Sequence, residues 1–197
     1  MFLTMMRPEE TNLIMTYDKY NSLFDQILGS DQPLAPYDQT DYFKYVGLNK
    51  KRQERWDKNG LISDALKTAM SEINSPQKWV LITEPWCGDA AHSVPFISKI
   101  AETNPNIELE IQLRDSGSEI DNYLTNGGKS IPILVVRNEN SEDLFVWGPR
   151  PNDAQNVHLA NLDTDKSMEE KKVELQKWYN QDKGQELQKE ILALLKN

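Results

Sequence analysis

The sequence predicts an α/β protein in which a mixed central sheet is covered by helices and preceded by a helical extension. Three observations carry this. Short apolar runs alternate with helix-length segments from Lys78 to Trp147. The first two runs are separated by a helical crossover, which makes them parallel. The last two are joined by the short turn "RNENSE", which makes them a hairpin.

Each element follows from its own residues. Tyr17, Tyr20, Phe24, Ile27 and Leu28 share one helical face. "DQPLAPYDQ" is a proline-broken loop. "DYFKYVGLNKKRQERW" is a second helix ending near Gly60, and "ISDALKTAMSEI" a third, closed by Asn74-Ser75-Pro76. "KWVLITE" suits a buried strand. Cys87 to Glu102 is helical, with Val94, Ile97, Ile100 and Ala101 on one side. "IELEIQL" alternates, as a strand with one buried face does. "SGSEIDNYLTNGG" reads as a helix opened by a Ser116/Glu119 capping box and closed at Gly127. "IPILVV" and "DLFVW" are the final strands. Ser167 to Glu170 is another capping box, opening a helical region to Asn197 that Gly184 can break. The organisation is therefore a helical extension over 1–75, an α/β core over 76–150, and a C-terminal helical region over 151–197.

Composition narrows the function. A chain of 197 residues with 38% hydrophobic content buries a sizeable core. Net charge is −9, which argues against general nucleic-acid binding. The one basic run, "NKKRQER" from Asn49 to Arg55, reads as a solvated helix face. A single cysteine excludes an internal disulfide and points to a reducing, cytoplasmic setting. "MFLTMMRPEETNLIM" has neither the basic start nor the apolar core of a signal peptide. No run is long enough to span a membrane. Two histidines and one cysteine speak against a metal site.

The chemistry concentrates in "TEPWCGDAAHSVPFI". Trp86-Cys87-Gly88 lies at the first strand-to-helix junction. Pro95 follows Cys87 by eight residues, Ile131-Pro132 opens the third strand, and Gly148 ends the fourth. This set resembles the thioredoxin family over Lys78 to Arg150 plus a terminal helix, and within it a bacterial single-cysteine subgroup with Trp-Cys-Gly-Asp-Ala. The resemblance implies a thioredoxin-like three-layer sandwich, a cis bond at Pro132, and a groove made by Trp86, Gly88, Ile131 and Pro132 that pairs with an extended peptide. It leaves residues 1–75 unexplained.

The layout itself places Cys87 at an exposed helix N-terminus. A thiol there can fall from a pKa of about 8.5 to roughly 3.5–7.5. Ala90 stands where a resolving cysteine is needed, so a dithiol reductase cycle within one chain is excluded. Leu81 stands where thioredoxins bury an aspartate serving that second thiol. Asp89 favours the helix start but disfavours a thiolate beside it. A cap role is the simpler assignment. His92 lies about 140° around the helix from Cys87, so it is a solvated or packing residue rather than a dyad partner. Arg150 either pairs with the thiolate or an anionic ligand, or bonds a loop carbonyl or surface acid. Arg114 and Asp115 form a structural pair. Trp56, Trp79, Trp147 and Trp178 pack.

Three functions fit. Cys87 can act by monothiol exchange on protein or peptide disulfides, with an external low-molecular-weight thiol and no other cofactor. The chain can instead be a redox-inactive module binding peptides or partner proteins at the Pro132 groove. Or the helical extension can be the interacting part. The helix-tip cysteine favours the first, and Ala90 with Leu81 favours the second. Neither nucleic acid nor membrane is an expected partner, and the oligomeric state is left open.

Overall fold

The computed structural model describes residues 15–196. The stretch read for a leader falls almost wholly outside them. Three helices come first: α1 (Tyr17–Leu28), α2 (Thr40–Asn59) and α3 (Asp64–Ser71). Thr16 and Ser63 cap α1 and α3 by accepting the N–H groups of Lys19 and Leu66. Next come β1 (Gln77–Thr83), α4 (Ala90–Ala101) and β2 (Ile107–Leu113). The hairpin β3 (Ile133–Arg137) and β4 (Asp143–Trp147) is followed by α5 (Asn152–Leu162), α6 (Met168–Asp182) and α7 (Gln185–Leu194).

The sheet order is β2-β1-β3-β4. β1 runs parallel to β2 and antiparallel to β3, and β4 closes the edge antiparallel to β3. This is the predicted mixed sheet flanked by helices. The α4 crossover packs on β1 and β2, and α2 packs on α4. Trp79, Leu81, Ile82, Phe96, Ile97, Ile100 and Ile111 are fully buried, and the consecutive Leu81 and Ile82 place buried residues on both faces of the sheet. Burying each such side chain stabilises the fold by roughly 1.5–3 kcal/mol. Tyr20, Phe24, Val46 and Trp56 from the helical extension join the same cluster, as do Leu187 and Ile191 of α7.

Three local expectations are corrected. The segment after β2 is a single 3-10 turn, Glu119–Asn122, and Ser118 rather than Ser116 caps it. Glu119 cannot serve as a capping-box partner, because its carboxylate is bound by Arg137 and Gln112. β2 is not solvated on one face: Glu110 and Gln112 are buried, Lys78 Nζ lies 2.6 Å from Glu110, and Gln112 donates to Glu110 and Glu119. The basic run is a solvated face only in part: Lys51, Glu54 and Arg55 are exposed. Asn49 and Gln53 are buried within it, and Arg52 is half-buried.

Candidate functional site

The motif lies in the turn between β1 and α4. Cys87 N–H donates to Glu84 O at 3.0 Å, and Cys87 O accepts from Ala91 N–H at 3.2 Å. Cys87 thus stands at the edge of the first turn of α4, with Asp89 as the N-cap residue. Beside it, the Ile131–Pro132 bond is cis, as are Ala35–Pro36 and Gly148–Pro149. Gly148 (φ 126°) is pressed against this loop, and a Cβ there would lie 2.2 Å from Pro132 O, so only glycine fits.

A cleft of about 780 Å³ opens over the turn. Trp86, Cys87, Gly88, Asp89, Ile131 and Arg150 all reach its wall. Pro132 is buried behind them. The structure therefore brings the residues marked in the sequence to one place. It adds walls that no motif marks: Tyr42, Tyr45 and Arg52 from α2, and Val173 and Gln176 from α6.

The expected exposed, acidic thiol is not what the structure holds. Cys87 is 7% exposed, and its Sγ donates to Ile131 O at 3.4 Å. Burial, and then the negative charge of Asp89, push its pKa up to about 12. The backbone N–H groups of Ala90 and Asp89 and the charge of Arg150 act the other way and lose. The helix-start argument fails because Cys87, although at the cleft wall, turns its Sγ onto Ile131 O and is itself nearly out of reach of water.

Asp89 does not cap α4 through its side chain. One carboxylate oxygen lies 2.7 Å from Arg150 Nη2, and the other accepts from Tyr179 Oη–H at 2.9 Å. Arg150 also donates to Gln155 Oε1 at 3.0 Å. Burial lowers its pKa, and Asp89 more than offsets that. Arg150 is thus committed to the motif's own acid rather than to the thiol. Arg114 makes the expected pair with Asp115, at 2.8 Å through both Nε and Nη2, and lies over the Trp86 ring at 4.6 Å. Tyr42 meets Trp86 edge-on at 5.2 Å.

His92 is a packing residue, 3% exposed and stacked on Tyr179 at 4.5 Å. Trp56 Nε1–H donates to its Nδ1 at 2.9 Å, and its Nε2 lies 2.7 Å from Gln176 Oε1. Burial lowers its pKa to about 3, so it is neutral near pH 7. His158, unmarked by any motif, also lines the cleft.

Sequence reasoning missed Glu84. This carboxyl is 2% exposed, accepts from Tyr37 Oη–H at 2.7 Å and Asp115 N–H at 3.0 Å, and ties the extension to the motif turn. Burial raises its pKa against those two donors. Its signal was a lone acid in an apolar strand end. Among the described residues, no group of three or more His, Cys, Asp or Glu side chains could hold a metal ion, and no helix is long and apolar enough to cross a membrane.

Comparison with known proteins places this geometry. The chain is similar over 92% of its length to a crystallised HIV epitope-scaffold (19% identity, TM-score 0.53, 98% of that chain covered). It is similar over 93% of its length to a protein of unknown function from Pseudomonas aeruginosa (18% identity, TM-score 0.55, 98% of that chain covered). At such identities these likenesses speak for the fold alone. No curated protein matches. A family model described as thioredoxin matches residues 37–169. That match begins before α2, well ahead of the Lys78–Arg150 stretch that the motifs mark. The chain belongs to the thioredoxin family.

Proposed function

We propose that this protein is a redox-silent, single-cysteine branch of the family, a module that binds an extended peptide or partner-protein segment in the cleft beside Ile131 and Pro132. The observation that carries the reading is the contrast at one site. The thiol is buried and held neutral, while an open cleft walled by Trp86, Gly88 and Ile131 lies next to it. Ala90 and Leu81 agree, since both are fully buried and neither offers a proton or a second sulfur. The lone cysteine suits a reducing, cytoplasmic setting.

The experiment compares wild type with Cys87→Ser in a fluorescence-polarisation screen of synthetic octapeptides, alongside iodoacetamide alkylation of Cys87 against pH. Equal binding by both proteins, with no alkylation inflection below about pH 10, supports the reading; the ordinary thiol pKa is about 8.5. Cys87 also touches the cleft, which favours the second reading, monothiol exchange. There the Cys87 thiolate attacks a substrate disulfide, one thiolate leaves, and an external small thiol frees Cys87 from the mixed disulfide. An inflection at or below pH 8.5, with capture lost in Cys87→Ser, would replace the first reading by the second.

A further inference from the structure

We infer that the cleft carries a carboxylate subsite over Gly88, formed by Arg52 and Gln176, and that the segment it takes is an acidic peptide. The inference rests on the binding reading above and adds the chemistry of the ligand.

One tautomer of His92 orients the Gln176 amide. Indole Nε1–H is a donor only, so the 2.9 Å bond from Trp56 makes His92 Nδ1 the acceptor. Burial keeps the ring neutral, so its proton is on Nε2. Nε2–H then donates to Gln176, and the atom 2.7 Å away must be the carbonyl oxygen Oε1. The Gln176 Nε2 amino group is thereby turned away from His92. A methyl built on Gly88 would lie 3.7 Å from that Nε2, which has no acceptor among the described residues.

Arg52 reaches the same space from the other side. The methyl built on Gly88 would lie 3.8 Å from its Nη1. Asn49, fully buried, fixes this placement: its Nδ2 donates to Pro85 O at 2.9 Å, and its Oδ1 accepts from Arg52 Nη1 at 2.8 Å. No salt bridge holds Arg52 among the described residues. Asp89 is engaged by Arg150 and Tyr179, and Glu169 lies at the exposed rim; both add only a distant field.

Two oriented donors therefore flank Gly88 with no acceptor between them. Rotating the Gln176 amide would set an N–H of Gln176 against His92 Nε2–H. An oxygen acceptor placed over Gly88 meets both donors, and beside the Arg52 guanidinium a carboxylate does so with the added strength of a charge-assisted bond. Side chains of Tyr42, Tyr45, Leu48 and Val173 supply apolar and aromatic surface on the same cleft. Trp86, also on the wall, keeps a buried Nε1–H without an acceptor among the described residues. A carboxylate on an extended, partly apolar segment fits both halves. The carboxylate can come from an Asp or Glu side chain or from a chain end, and the test separates these.

The test has two arms on the full chain. In the first, the 15N-labelled protein is titrated with N-acetyl-glutamate methylamide, with the glutamine analogue as control. Saturable shifts of the Gln176 side-chain amide with the glutamate compound alone, abolished in Arg52→Ala, are expected. The His92 nitrogens report the tautomer directly. Protonation on Nδ1, or no response of Gln176 to the glutamate compound, overturns the subsite. In the second arm, octapeptides bound by the wild type are compared as Glu→Gln pairs and as C-terminal acid and amide pairs. About a tenfold preference for the carboxylate is expected, from a hydrogen-bonded charge. Arg52→Ala removes the preference, and Trp56→Phe, which frees the tautomer, weakens it. Peptide binding without carboxylate preference overturns the subsite and leaves the binding reading standing. Glutamate binding at Gln176 with no octapeptide bound keeps the subsite and removes the peptide reading.

Discussion

Cys87 feels opposing influences, and their sizes follow from where water can reach. Helix-start N–H groups and Arg150 favour the thiolate, while burial and Asp89 oppose it more strongly. Asp89→Asn removes the nearby negative charge and leaves Arg150 unpaired. Its alkylation inflection is expected at lower pH than in the wild type, with thermal stability lost because a buried ion pair has been broken. An unchanged inflection would show that desolvation alone sets the thiol. His92 gives a second prediction at this scale. Its folded pKa, about 3, lies below the ordinary value of about 6.5. The unfolded chain therefore binds the extra proton, and stability present above pH 6.5 is lost as pH falls toward 3. Unfolding free energies from urea titrations between pH 4 and 7 should show a slope of up to about 1.4 kcal/mol per pH unit that is missing in His92→Gln. Glu84, whose pKa is raised, contributes the opposite slope at the acid end, so the difference between the two proteins is the quantity to read.

Elements show which local signals were legible. Ser167 and Glu170 make the capping box as spaced, with the Glu170 N–H donating to Ser167 Oγ at 3.3 Å and Glu170 accepting from Ser167 N–H at 2.8 Å. Ser167→Ala should lower stability by about 1 kcal/mol in thermal unfolding. Gly184 breaks the C-terminal region as its residue type predicts, at φ 76° between α6 and α7. Its packing was not legible: a Cβ there would lie 2.6 Å from the Phe96 ring of α4. Gly184→Ala should therefore destabilise by roughly 1–3 kcal/mol, beyond the cost of its positive φ alone. The Ser116/Glu119 box failed because Arg137, on a strand that follows in sequence, claims the Glu119 carboxylate. A capping pattern is local, and a half-buried guanidinium from another strand overrides it.

For the whole molecule, the helical extension forms part of the core and of the cleft. Tyr20, Phe24, Val46, Trp56, Leu66 and Met70 are buried in the same cluster as the sheet. Asn49 and Tyr37 bond the motif turn from outside the strand-and-helix core. A chain starting at residue 76 is expected to lose amide dispersion in NMR and to bind a hydrophobic dye. A well-dispersed spectrum from that truncation would show that the core stands alone. The cleft wall carries Arg52, Arg114, Lys129, Arg150 and Lys172 beside Asp41, Asp89 and Glu169, with Arg114, Lys129 and Arg150 already in ion pairs, in a chain of net charge −9. Binding of an acidic segment there gains from local cations and works against the overall field, so its salt dependence should be shallow.

The strands, most helices, and the meeting of Cys87 with Ile131 and Pro132 could be read from the residues alone. Those follow from periodicity and from residues whose backbone demands are strong, such as Pro95, Pro132 and Gly148. The residues also show that no second thiol serves Cys87, because Ala90 occupies that place. Whether Cys87 meets water, which acid Arg150 binds, and which way the Gln176 amide points came from the folded arrangement. Each depends on a neighbour far away in sequence: Ile131 beside Cys87, Asp89 beside Arg150, and His92 beside Gln176. Desolvation and hydrogen-bond direction are set by such neighbours, and no short motif encodes them.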